Sequence, residues 1–428
     1  MPAAAMTARR IPRLAVAAMT MLTATFGVIL ASSPPASASC GSLPATGLDH
    51  AVPWAQQQLG LQQVWPVTEG QGVTVAVVDT GVDAQQPFLA GAVLPGADVI
   101  NGGGTASTDC DGHGTFVAGI IAGRQLPGFG FSGVAPEATI LPIRQANSTS
   151  DGTAKSLAAG IETAVKDHAQ VINVSIVAAQ PTLELAQAVQ DALAHDVVVV
   201  AAAGNDFEQG NATQYPAGFP GVLAVGAVDA TGQRASFSET GADIGVVAPG
   251  TNLLGPGAGG QGLVTAAGGT SFATPFVAGV AALVRAYHPQ LTAAQVIHRI
   301  EATAEHPPGP LPSGSLGWGE VNPYAAVTAV LPGEQGRTAP ATPGRVPPPA
   351  RAAPGAGKAA AHATAFGVAA IAVTALVLLS AVVARRGRRR GWHPGPRDLP
   401  SGQAETPGAI AVVAAAARSA RAGTAERG

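Results

Sequence analysis

Hydrophobic positions along the chain form short uninterrupted runs, separated by longer stretches with helical periodicity. The first run, residues 72–78, is apolar and β-branched, and it ends in Asp79-Thr80-Gly81. Such runs are typical of strands buried on both faces of a parallel sheet. We expect further strands at residues 139–143, 171–177, 197–203, 222–228 and 244–248, and helices at residues 153–168 and 181–195. This alternation predicts an α/β fold with a mostly parallel central sheet and helices on both faces.

Two apolar segments at opposite ends of the chain do not fit this pattern. Residues 1–38 contain arginines, then an uncharged run, then Ala36-Ser37-Ala38, which together predict a secretory signal peptide. Residues 362–384 contain no Asp, Glu, Lys or Arg and are followed at once by the arginine-rich segment 385–390. About 20 apolar residues cross a bilayer, and basic residues mark its cytoplasmic side. We therefore expect one transmembrane helix, with the C-terminus in the cytoplasm.

The remaining boundaries follow from changes in composition. Residues 39–72 form a leader, in which we expect one short helix and a turn. Residues 73–331 form the folded domain, and residues 332–361 a Pro-, Ala- and Gly-rich linker. The basic tail, residues 385–428, is expected to be disordered. Because chains below about 40 residues seldom fold alone, the leader must either hang free or lie on the domain surface.

Charge and acidic residues exclude some classes of partner. The chain has 428 residues, of which 11% are charged, and its formal net charge is −3. Nucleic-acid affinity depends on basic groups, so we expect no nucleic-acid partner. Asp98, Asp109 and Asp111 are close in sequence but lack the spacing of a calcium loop. We expect them to be solvated at the surface, and we predict neither a metal site nor a cofactor.

Three residues in glycine-rich surroundings carry the candidate chemistry. Asp79 stands in Asp-Thr-Gly at a strand end, His113 in Gly-His-Gly-Thr at a helix start, and Ser271 in Gly-Gly-Thr-Ser-Phe-Ala at another. Each alone is commonly a turn or cap residue. Together they supply a nucleophile, a base whose unperturbed pKa is about 6.5, and an acid that orients the base. We predict Ser271 as nucleophile, His113 as general base and Asp79 as its orienting partner.

These motifs, in the order Asp, His, Ser, resemble those of the subtilisin-like serine proteases over about residues 72–329. The resemblance implies a serine endopeptidase that cleaves protein or peptide substrates through an acyl-enzyme. It also implies that Asn205, which follows Ala-Ala-Ala-Gly at a strand end, donates to the oxyanion. Residues 173–177 depart from the Ser-x-Gly-Gly type of edge that lines the primary pocket in many subtilisins. Substrate preference therefore stays open.

The order of segments along the chain resembles that of one group within these proteases. Signal peptide, leader, protease domain, proline-rich linker, membrane helix and basic end together resemble the mycosins, the membrane-anchored subtilisin-like proteases of type VII secretion. This implies a cell-membrane enzyme with an extracytoplasmic catalytic domain, and a type VII secretion membrane complex as its partner. Members of that family are also implicated in holding the complex together. An alternative function is therefore structural, with proteolysis secondary.

The two cysteines of the chain bear on the leader. The mycosin resemblance pairs Cys40 with Cys110, three residues before His113, and disulfides persist in exported proteins. Cys40 also admits a lipoprotein signal, although Ser37 stands where leucine is usual. Our hypothesis is that the bridged leader is a permanent clamp on the catalytic domain and not a removable inhibitor.

Overall fold

Strand β1, Thr74–Asp79, lies inside the central sheet, where the sequence predicts the first strand. This computed structural model describes residues 50–241, 243–259, 262–332 and 334. Its contacts divide the chain into Met1–Pro349 and Ala350–Gly428, and every described residue belongs to the first unit. The predicted signal peptide, the linker beyond residue 334, the transmembrane segment and the tail lie outside the described residues. Within the described part, no helix is long and apolar enough to span a bilayer.

Parallel pairing joins all strands of the central sheet, which confirms the predicted α/β architecture. Besides β1, the strands are β2 Ala97–Asp98, β3 Thr139–Arg144, β4 Val171–Val174, β5 Val198–Ala202, β6 Leu223–Val228 and β7 Ile244–Pro249. Their order in the sheet is β2-β3-β1-β4-β5-β6-β7. Strand β4 ends before the predicted residue 177, because the chain leaves the sheet and Ala178 exchanges 2.8 Å backbone hydrogen bonds with Tyr215.

Helices cover both faces of this sheet. They are α1 Trp54–Gln58, α2 Leu61–Val64, α3 His113–Ala122, α4 Ala154–Lys166, α5 Leu183–Ala194, α6 Thr270–Tyr287, α7 Ala293–Ala302 and α8 Pro323–Thr328. Side chains of β1 alternate between the faces: Val75 and Val77 join the cluster that contains α3 and α6, and Ala76 and Val78 join the one that contains α4 and α5. The strand is apolar at consecutive positions because both faces are covered.

An antiparallel hairpin, absent from the sequence prediction, leads into α6. Its strands are β8 Thr251–Pro256 and β9 Leu263–Gly268. The glycine-rich stretch 255–262 gives no strand periodicity, which hides the hairpin from pattern analysis. At its tip the Gly259 backbone N–H donates to Asp83 Oδ2 at 2.8 Å, so the hairpin is tied to the loop after β1.

The described part of the leader packs on the domain. Leu61 and Val64 of α2 are fully buried in the same cluster as α3 and α6. Two indole N–H groups anchor the segment at 3.0 Å each, Trp54 Nε1 to the Asn252 carbonyl and Trp65 Nε1 to the Val134 carbonyl. The sequence predicts one short helix here, and the structure has two. The sequence left open whether the leader hangs free or lies on the domain surface. The structure shows that residues 53–65 lie on the surface of the domain.

Candidate active site

Asp79 and His113 come together at the carboxyl edge of the sheet. Asp79 ends β1 with a fully buried side chain, and His113 begins α3. The two side chains meet with His113 Nδ1 2.7 Å from Asp79 Oδ1. Gly114 permits this approach, because a Cβ at that position would lie 2.1 Å from the Gly81 carbonyl oxygen. Two of the three predicted catalytic residues are thus in direct contact.

This contact controls the protonation of His113. Burial disfavours the imidazolium and lowers the pKa of His113, but the Asp79 charge and hydrogen bond, together with the Asp111 and Asp109 charges, leave that pKa raised above its ordinary value. A carboxylate can only accept, so Nδ1 carries the proton in the neutral ring. Nε2 is then free to accept a proton, as a general base requires.

Asp109 was expected at the surface, and this prediction is wrong. The residue is 3% exposed and accepts hydrogen bonds from Gly112 N at 2.9 Å, Thr115 N at 2.9 Å and Thr80 Oγ1 at 3.0 Å. Burial, helped by the Asp79 charge, raises its pKa despite these donors. Asp109 thereby locks the loop before His113 onto the turn after Asp79. The sequence did contain a signal for this role of Asp109. It is an acid four residues before a histidine at a helix start, and helix N-termini favour carboxylates.

The prediction of a surface position is also wrong for Asp98, whereas Asp111 is exposed as expected. Asp98 is 7% exposed and pairs with Arg144 at 2.8 Å. Burial raises the pKa of Asp98, but hydrogen bonds from Asn101, Arg144 and Ile100 outweigh it and lower that pKa. Arg144 in turn donates to the Thr80 carbonyl at 3.1 Å, so the pair supports the turn after β1.

Ser271 and Asn205 converge on one spot beside Gly269. Ser271 is the second residue of α6, and Asn205 follows the end of β5. A Cβ on Gly269 would lie 2.9 Å from Ser271 Oγ and 3.6 Å from Asn205 Nδ2. Glycine at this position therefore leaves room for a substrate carbonyl between a hydroxyl and an amide donor.

Thr270 fixes the orientation of the Asn205 side chain. The Thr270 backbone N–H donates to Asn205 Oδ1 at 2.8 Å, and Thr270 Oγ1 lies 3.1 Å from the same atom. Because a backbone N–H can only donate, the amide oxygen must face Thr270 and Nδ2 must face away. Asn205 is exposed, so Nδ2 is available to a ligand. The arrangement is that of a preorganised donor.

Phe272 brings the two halves of the site side by side. Its ring centroid lies 5.0 Å from that of His113 and 4.9 Å from that of Phe116. Since Phe272 follows Ser271 in the chain, this packing puts the first turn of α6 beside His113. The described contacts include no hydrogen bond from Ser271 Oγ to the imidazole. Catalytic hydrogen bonds are often long without substrate and tighten when it binds.

Cys110 is exposed and lies three residues before His113. Cys40 lies outside the described residues, so the Cys40–Cys110 pairing stays a prediction. Over the described ranges, no group of three or more His, Cys, Asp or Glu side chains is arranged to hold a metal ion.

The chain matches known proteins over more than half of its length. The subtilase family model matches residues 70–319. Mycosin-4 of Mycobacterium tuberculosis is 39% identical over 381 residues, covering 78% of this chain and 82% of that protein. The chain belongs to the subtilase family. It is a serine endopeptidase of the subtilisin type, and mycosins are among its relatives.

Solved structures of mycosins resemble this subtilase in fold. MycP1 from Mycobacterium smegmatis superimposes with a TM-score of 0.63 at 34% identity, over 72% of this chain and 93% of that one. The MycP3 protease from the type VII (ESX-3) secretion system gives a TM-score of 0.60 at 38% identity, over 68% and 92%. Subtilisin DY of Bacillus licheniformis is 41% identical over 238 residues, covering 55% of this subtilase and 85% of that protein.

Proposed function

We propose that this subtilase cleaves protein or peptide substrates through an acyl-enzyme on Ser271. As Ser271 Oγ attacks the carbonyl, its proton passes to His113 Nε2, and Asp79 stabilises the imidazolium. Asn205 Nδ2 and the N-terminus of α6 stabilise the oxyanion. The imidazolium then protonates the leaving amine, and water releases the acyl group in the same way. The observation that carries this proposal is the buried 2.7 Å contact between His113 Nδ1 and Asp79 Oδ1.

Fluorophosphonate labelling tests the nucleophile. The probe should label the wild-type protein at Ser271, and the label should disappear in Ser271→Ala. Ser150→Ala, which removes an exposed hydroxyl, is the matched control and should label like wild type. Labelling of Ser271→Ala at the wild-type rate would contradict the assignment.

We further propose that the enzyme is exported, is anchored in the cell membrane and serves type VII secretion. The proposal is supported by segments 1–38, 362–384 and 385–390 and by the similarity to mycosins. Protease treatment of intact protoplasts should digest the domain that contains Ser271 and spare residues 385–428. Protection of that domain would overturn the orientation.

The structural alternative has one observation in its favour. Among the similar solved structures is that of MycP1 described as an essential component of the type VII (ESX-1) secretion system. If proteolysis is secondary here, Ser271→Ala cells should secrete like wild type, whereas cells that lack the protein should not. If proteolysis is primary, the two strains should share the defect, or the secreted substrates should stay uncleaved in both.

A further inference from the structure

Helix α6 contains a proline at a position that affects Ser271. In an α-helix the carbonyl of one residue accepts the backbone N–H four residues later. Four residues after Ser271 stands Pro275, which has no N–H to donate. The Ser271 carbonyl therefore lacks its regular helical partner.

A side chain from the neighbouring strand end supplies the missing donor. Ser175 Oγ donates to the Ser271 carbonyl at 2.7 Å, and Asn173 Nδ2 donates to Ser175 Oγ at 2.9 Å. The directions are fixed: the carbonyl can only accept, so the single hydroxyl hydrogen points to it, and the second partner must be an N–H donor. This short relay crosses from β4 to the first turn of α6.

The relay starts from a buried residue inside the central sheet. Asn173 is fully buried and pairs in register with Val77 of β1 and Val200 of β5. An amide there is costly to bury, and Asn173 Oδ1 has no hydrogen-bond partner among the described residues. A side chain chosen for stability alone would be apolar at this position. The polar one indicates that its contact with Ser175 has another use.

We infer that Ser175 is a positioning residue for the nucleophile. Its hydroxyl takes the place of the absent helical N–H and holds the Ser271 peptide, while Asn173 fixes the direction of that hydroxyl. The backbone that carries Ser271 Oγ is thus held in line with His113 by the sheet and not by its own helix. The inference rests on the proposed role of Ser271 as nucleophile.

A double-mutant cycle on the full-length protein tests this inference. Ser175→Ala should lower kcat and the fluorophosphonate inactivation rate roughly tenfold, the net value of one hydrogen bond, with KM unchanged. Ser175→Thr, which keeps a hydroxyl, should restore most of the rate. Pro275→Ala provides the missing N–H, so in that background Ser175→Ala should cost less than about twofold.

Ser132→Ala is the matched control, because Ser132 is a buried serine whose hydroxyl also lies in hydrogen-bond contact with backbone carbonyls, those of Gly123 and Gly133. It should lower Tm about as much as Ser175→Ala and leave kcat unchanged. The inference is overturned if Ser175→Ala lowers Tm but not kcat, or if its tenfold loss persists in Pro275→Ala. Failure of the wild type to label at Ser271 would instead remove the nucleophile assignment, and the inference with it.

Discussion

Two regions of the domain are held in place by different forces. The proposed catalytic edge (Asp79, His113, Asn205 and Ser271) depends on single hydrogen bonds between polar atoms, such as the 2.7 Å contact of His113 with Asp79. The leader contact (α1 and α2 against the domain) depends on apolar burial, with Leu61 fully buried in the core. Polar atoms set the reactive geometry, whereas apolar area sets stability. Substitutions in the first region should therefore change rate, and those in the second the free energy of unfolding.

The largest effect is expected for Asp79→Asn. An amide holds the imidazole in the wrong tautomer and removes its charge partner, so kcat should fall about ten-thousand-fold, the loss that this substitution causes in a serine protease with a Ser-His-Asp triad. Steady-state kinetics on a peptide substrate measures the loss, with Asp151→Asn, an exposed acid, as the control. A loss below tenfold would contradict the role of Asp79.

The same variant sharpens the pH dependence. His113 must be neutral to act as base, and its raised pKa keeps the inactive imidazolium present to higher pH. The acid limb of kcat/KM in the wild type should therefore lie above the ordinary imidazole range. Without the Asp79 charge, the limb of the residual activity should move to lower pH. A limb that stays in place would show that another group titrates.

The next largest effect is expected for Asn205→Ala. Loss of one oxyanion donor should lower kcat about a hundred- to a thousandfold and change KM little, because the donor acts on charge that develops in the transition state. Asn147→Ala, an exposed asparagine away from the site, is the control. If the loss appeared in KM with kcat unchanged, Asn205 would be a ground-state binding residue.

The difference between the regions also explains what sequence analysis could predict. The strand that ends in Asp79 and the helix starts at His113 and Thr270 were predictable, because buried parallel strands and glycine-rich helix starts have strong local patterns. The supporting contacts between distant segments were not predictable. Asp109 reaches Thr115 within its own segment, but Ser175 reaches Ser271 across 96 residues, and no local pattern specifies such a pair.

The leader is a second region whose contacts the sequence did not predict. Its short helices have little periodicity, and the two glutamines in α2 suggest a polar surface segment. Only tertiary packing buries Leu61 and Val64, so their place in the core became evident in the structure alone.

Leu61→Ala tests the leader contact. Truncation of a fully buried leucine leaves a cavity and should lower the free energy of unfolding by about 3 kcal/mol. Thermal unfolding measures the effect, and Gln62→Ala, the exposed neighbour, is the control. The kcat of both variants should match the wild type below Tm. If Leu61→Ala unfolded like the control, the leader would be an appendage and not part of the core.

The smallest effect on stability is expected at a hydrogen bond between the leader and the domain. Gln58 Nε2 donates to Glu320 Oε1 at 2.6 Å. Burial raises the pKa of Glu320 to about 7; the Gln58 hydrogen bond opposes the rise, and the Glu305 charge adds to it. The folded protein therefore keeps this proton up to about pH 7, whereas the unfolded chain releases it near the ordinary glutamate pKa of 4.5.

The sign of the resulting pH dependence follows from proton counts. Between these two pKa values the unfolded state binds fewer protons than the folded state, so Glu320 makes stability fall as pH rises. The penalty is absent below the ordinary pKa and complete above pH 7.

Glu320→Gln keeps the hydrogen-bonding shape without the charge. Since Glu320 is partly exposed, we expect a gain of about 1 kcal/mol in the free energy of unfolding at pH 8, and none at pH 4. Urea unfolding at both pH values measures it, with the exposed Glu208→Gln as control. Equal gains at the two pH values would mean that the charge of Glu320 is not what weakens this contact.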